Sequence, residues 1–131
     1  MKIRHAGLAV MTVALFANAA AVFASAQEDR EMLALAKSSG CSLCHDMEPR
    51  KRGAQELLPY GPAWKDVGRR YKGDAGAVDA LTKTVMQGSG GNSTRRHWQY
   101  KTQVVEMPPN TVVLTEDEAG KLVRWMLSLG K

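Results

Sequence analysis

Cys41-Ser42-Leu43-Cys44-His45 is the stretch on which the reading of this 131-residue chain turns. Two thiols at this spacing can each add across one of the two vinyl groups of a haem, and the histidine next in sequence can reach the iron from below. Cys41 and Cys44 are the chain's two cysteines, so no disulfide framework can cross-link it, and haem attachment leaves no free thiol. A redox dithiol would belong to a βαβ pattern, and a zinc site would need further cysteines or suitably spaced histidines. Neither is present in the sequence. The motif therefore predicts one covalently bound haem c, with His45 as the proximal iron ligand.

Upstream, Lys2, Arg4 and His5 precede an apolar run from about Gly7 to Phe23 that ends in Ala24-Ser25-Ala26. This is the layout of an export signal, and it predicts a signal peptide over residues 1–26 and a mature domain over residues 27–131. An uncleaved anchor is the alternative reading, since an apolar run of roughly 18 to 20 residues approaches the length of a membrane span. Asn18 and the small-residue site weigh against it, so no stable membrane insertion is expected after cleavage, and the expected location is the periplasm. The formal charge of +5 falls to +3 on losing Lys2 and Arg4. That balance, without a basic stripe interleaved with aromatics, excludes nucleic-acid binding as a function class.

The rest of the chain reads as all-α, with helices joined by Gly- and Pro-rich loops. A first helix is expected from about Glu28 to Ser39, with Met32, Leu35 and Ala36 on one face and Gly40 as its stop. A short second helix should start near Pro62, carry Trp64, Val67 and Tyr71 inward, and end around Lys72-Gly73. Asp74 is expected to cap a third helix through Ala80, Leu81, Val85 and Met86, stopped by Gly88. Gly88 to Thr111 reads as loop. In the last helix Thr115 and Glu118 form a capping box, and Ala119, Leu122, Val123, Met126 and Leu129 make a stripe expected to pack on the first helix.

A sixth iron ligand has to come from the opposite face of the ring. Met47 follows His45 too closely to cross it, Met32 and Met126 lie on helical stripes, and Met86 reads as core. Met107 remains the best candidate, because Pro108 holds it in extended backbone and Pro108-Pro109 stiffen the loop without needing amide hydrogen bonds. His97 as ligand, or an open iron position, are the alternatives.

Taken together, the chain resembles a class I cytochrome c of the small bacterial c551/c552 type. The likeness rests on Leu35 through Gly40 leading into the haem motif, on Gly61-Pro62-Ala63-Trp64-Lys65-Asp66-Val67, on Met107-Pro108-Pro109-Asn110, and on Leu122 through Leu127. It implies a compact helical fold around a low-spin His/Met haem with one ring edge exposed. It further implies that the Pro62 carbonyl accepts the free ring N–H of His45, that Asn110 sits near the Met107 sulfur, and that Trp98 bonds a haem propionate. The sequence departs from the family where Gln99 follows Trp98 in place of glycine, and the loop Asn92 to Glu106 is expanded. That loop carries Arg95, Arg96, His97 and Lys101, which alters the surface beside the propionates or the docking face.

Two filled axial positions deny substrates direct access to iron, so the expected role is electron carriage and no enzyme activity is expected. Asp66, Asp74 and Asp79 offer no paired acid and base. The expected partners are exported or membrane redox proteins: a terminal oxidase, a reductase or a dehydrogenase. Arg50-Lys51-Arg52 and Arg69-Arg70 are either ordinary solvated surface or a ring that meets an acidic docking face. Two other roles stay open on the residues: a tightly bound electron-accepting subunit of an exported dehydrogenase, for example one oxidising sulfite, and a ligand-binding haem sensor with Met107 displaced.

Overall fold

The computed structural model describes residues 25–51, 53, 56–90, 98, 101–103 and 105–130. The expected signal peptide therefore lies almost wholly outside the described residues, as do Arg52, Arg95, Arg96 and His97. Four helices and one 3-10 turn make up the described architecture, which has no strand. The helices are α1 (residues 25–38), α2 (Trp64–Arg70), α3 (Ala77–Gln87) and α4 (Glu116–Ser128). The all-α class expected from the sequence is correct.

α1 ends where the sequence says it should. Ser39 N–H still donates to the Leu35 carbonyl, the Ser39 hydroxyl donates to the same oxygen at 2.7 Å, and Gly40 turns the chain with φ 80°. Both donors thus meet one carbonyl of the last turn, where a helix C-terminus leaves acceptors without partners. The chain passes directly into the 3-10 turn Cys41–Leu43. In such a turn residues i and i+3 eclipse one another, which brings Cys41 and Cys44 to the same side.

α2 and α3 start differently from expectation. The Trp64 and Lys65 N–H groups, orphans of the first turn of α2, donate to the carbonyls of Asp46 and Met47 at 2.9 and 3.2 Å. The segment after His45 is thus docked on the start of α2. Asp74 does not cap α3: Gly76 is the N-cap, and the Asp74 carboxylate instead accepts the Gly76 N–H at 2.9 Å in the turn that leads into the helix. A short polar side chain two residues before a backbone N–H folds such a turn more readily than it reaches the helix.

α4 organises the core. Ala36 of α1, Trp64 of α2, and Leu122 and Trp125 of α4 share one buried cluster with Leu114, while Val67, Ala77, Leu81 and Val123 make a second. The expected packing of the last helix on the first is therefore present. Trp125 lies off the apolar stripe read from the sequence, yet it is buried, stands edge-on to Trp64 with ring centroids 5.5 Å apart, and donates its indole N–H to Asp29 Oδ1 of α1 at 2.8 Å. At the far end, Gly68 of α2 runs so close to Gly130 that a Cβ on it would stand 2.6 Å from the Gly130 nitrogen.

The capping box is complete. Glu118 N–H donates to the Thr115 hydroxyl, and Thr115 N–H donates to the Glu118 carboxylate at 2.9 Å. Thr115→Ala is expected to cost about 1 kcal/mol of stability in chemical denaturation at neutral pH. The Thr115 N–H, and after it the hydroxyl, hold the Glu118 carboxyl below its ordinary 4.5. Its contribution is therefore fully present above that value and fades as pH falls through the depressed one, so the gap between wild type and variant should narrow in acid. A gap that stays constant through acid would exclude the carboxylate from the effect.

Candidate haem site

His45 sits between two surfaces. Its ring lies nearly parallel to that of Trp64, at 15° and 6.2 Å between centroids, and on another side it meets the Gly61 backbone. A Cβ at Gly61 would stand 2.6 to 2.9 Å from three ring atoms, closer than carbon atoms pack. Gly61 is held there by its N–H bond to the Cys44 carbonyl at 2.9 Å. His45 Nδ1 is 2.8 Å from the Pro62 carbonyl. A carbonyl only accepts, so Nδ1 carries the hydrogen and Nε2 keeps its lone pair. Burial lowers the His45 pKa against the smaller raising effects of the Pro62 carbonyl and Asp46, so the neutral imidazole needed of a ligand is favoured.

Cys41, Cys44, His45 and Met107 all line a single cavity of about 1050 Å3. Ligand pockets commonly measure roughly 300 to 1,000 Å3, so this one suits a large group. Its wall includes Trp64, Val67, Leu81, Val85 and Leu122, the apolar faces of α2, α3 and α4. Two thiols on one rim, an imidazole with a free lone pair, a thioether and apolar walls are the donor set and the surroundings that a haem requires. The residues fit the group.

Among the curated proteins, cytochrome c-551 of Allochromatium vinosum is 41% identical over 97 residues, covering 74% of this chain and 84% of that protein. Cytochrome c-552 of Hydrogenobacter thermophilus is 37% identical over 95 residues, covering 72% and 78%. The chain belongs to the class I cytochromes c of the c551/c552 type. No family model matches it. The solved structure of Nitrosomonas europaea cytochrome c552 superposes on this cytochrome with a TM-score of 0.55 at 29% identity, covering 74% of this chain and 98% of that one. The class 1 cytochrome MtoD of Sideroxydans lithotrophicus shares its fold, with a TM-score of 0.50 at 23% identity over 76% and 94%. This cytochrome carries one covalently bound haem c and serves as an electron carrier.

Met107 lies in a strap anchored to the end of α3. Ser89 N–H donates to the Met107 carbonyl at 3.0 Å, and the Met107 N–H donates to the Ser89 hydroxyl at 2.8 Å. Gly88 makes this approach possible twice over: its φ of 79° suits glycine, and a Cβ there would come within 2.7 Å of the Met107 carbonyl oxygen. Asn110 gives both amide hydrogens to carbonyls, of Val85 at 2.8 Å and Pro108 at 2.9 Å, and so braces the strap backbone.

Trp98 is partly buried between this cavity and a smaller cleft of about 180 Å3 behind Gly61 and Pro62. Lys101 Nζ lies 5.9 Å from the Trp98 ring centroid, a cation–π distance. Of the expanded loop Asn92 to Glu106, Gln103 donates its N–H to the Pro59 carbonyl at 2.8 Å and its side-chain amide to the Leu58 carbonyl at 2.6 Å. Two members of the basic runs, Arg50 and Arg69, have acidic neighbours, as does Lys65 outside them. Arg50 pairs with Asp46 and Arg69 with Asp66, while Lys65 pairs with Glu48.

Sequence reasoning missed Gly61, Ser89 and Gln103. Gly61 carried a signal, since a glycine directly before the ligand-orienting Pro62 marks a close approach as well as a turn. Ser89 and Gln103 carried none, because each acts on residues more than a dozen positions away.

Proposed function

We propose that this cytochrome moves single electrons between exported redox proteins with His45 and Met107 as its axial iron ligands and Cys41 and Cys44 as its points of haem attachment. The observation that carries the reading is that these four side chains converge on one apolar cavity, although Met107 is more than sixty positions downstream of His45. When bound, the haem supplies an iron that alternates between two oxidation states. Pro62 fixes the His45 tautomer and makes Nε2 the donor, and the apolar walls from α2, α3 and α4 keep water from it. The prolines after Met107 hold its thioether without amide partners of their own. Both axial positions are then protein side chains, and this supports a carrier over an enzyme or a sensor.

Export follows from the N-terminal pattern: cleavage after Ala26 would release residues 27–131 into the periplasm. Among the described residues no helix is long and apolar enough to cross a membrane. The mature charge of +3 favours a partner, whether oxidase, reductase or dehydrogenase, with an acidic docking face. Spectra of the purified protein test the ligand set. The oxidised protein should show the long-wavelength iron-to-sulfur band, and the reduced protein should resist carbon monoxide. Rapid carbon monoxide binding with no such band would overturn the reading in favour of a sensor.

A further inference from the structure

The end of α3 holds the Met107 strap at two places. On one side of Pro108-Pro109, the Asn110 N–H donates to the Met86 carbonyl at 3.2 Å and its side-chain amide to the Val85 carbonyl, so the strap satisfies carbonyls at the open end of the helix. On the other side stands the paired bridge between Ser89 and Met107. Within Met107-Pro108-Pro109 the one backbone N–H belongs to Met107, because proline has none. That single donor goes to the Ser89 hydroxyl.

We propose that Ser89 is a positioning residue for Met107: its hydroxyl keeps the strap closed over the cavity and sets how often the methionine leaves the iron. The inference rests on Met107 as the sixth ligand. The other half of the bridge and the Asn110 contacts are unaffected by a change of the Ser89 side chain, so Ser89→Ala removes one bond and leaves the strap anchored. Opening then becomes more frequent while the closed state still predominates.

The test compares wild type, Ser89→Ala and Ser89→Thr as oxidised holoproteins. Cyanide binding is followed at saturating cyanide, where strap opening limits the rate, together with hydrogen exchange at the Met107 amide. Ser89→Ala should bind cyanide roughly three- to tenfold faster, the factor expected for one neutral hydrogen bond. Its Met107 amide should exchange faster, and Ser89→Thr should restore both. The iron-to-sulfur band should persist in all three proteins at rest. An unchanged cyanide rate in Ser89→Ala, failure of threonine to restore it, or a faster rate with unchanged Met107 amide protection would overturn the role of Ser89 and leave the ligand reading intact. Absence of the band from wild type would overturn the ligand reading, and this inference with it.

Discussion

Met107→Ala should abolish the long-wavelength iron-to-sulfur band of the oxidised protein, admit carbon monoxide to the reduced protein, and lower the midpoint potential. A thioether stabilises the reduced iron relative to harder ligands, and axial ligands set haem potentials over a span of about 0.8 V, so the drop should be a sizeable fraction of that span. The fold should tolerate the change. Met107 is tied to Ser89 through its own backbone N–H and carbonyl, which alanine retains, and Asn110 continues to brace the strap through Val85 and Met86. The variant should therefore still carry covalent haem in a pyridine haemochrome assay. Potentiometry and optical spectra measure the effect, and an intact band in Met107→Ala would return the sixth position to another residue.

Gly61→Ala should be strongly damaging to the haem site. The added methyl would lie 2.6 to 2.9 Å from the His45 ring. The backbone there cannot yield easily, because the Gly61 N–H is bonded to the Cys44 carbonyl and Pro62 follows directly. Moving the ring instead would lengthen the 2.8 Å bond to the Pro62 carbonyl and disturb the stack on Trp64. Overpacking of this kind costs about 1–3 kcal/mol, and loss of the buried His45 to Pro62 bond would add about 1 kcal/mol. The expected result is lower haem content per chain and a denaturant midpoint well below wild type. Wild-type haem loading and stability in Gly61→Ala would show that the ring has room the geometry denies it.

The two variants probe two parts of one cavity wall, and their legibility in the sequence differs. Met107 could be proposed as the ligand by elimination, since helical periodicity accounts for Met32 and Met126 and the following prolines single out the strap. Gly61 read as punctuation in a Pro-rich loop. Its real constraint is the His45 ring packed against its backbone, a contact across sixteen residues that no local pattern encodes. Trp125 was missed for a related reason. The stripe on α4 is a property of one helix in isolation, whereas Trp125 is buried by Trp64 and by Asp29, 96 positions away, whose carboxylate satisfies the indole N–H.

Covalent chemistry and local backbone rules could be read from the chain in order: haem attachment from two cysteines and a histidine, helix ends from Gly40 and Gly88, the start of α4 from Thr115 and Glu118. Each depends on residues a few positions apart, where spacing and permitted dihedral angles are enough. The assembled fold settled matters of another kind. It joined the Met107 strap to the end of α3, docked the carbonyls after His45 on the first turn of α2, and committed the Asn110 amide to carbonyls of Val85 and Pro108. Those partners arise because buried donors and acceptors must be paired, and which pairs meet depends on how the helices pack, not on any spacing along the chain.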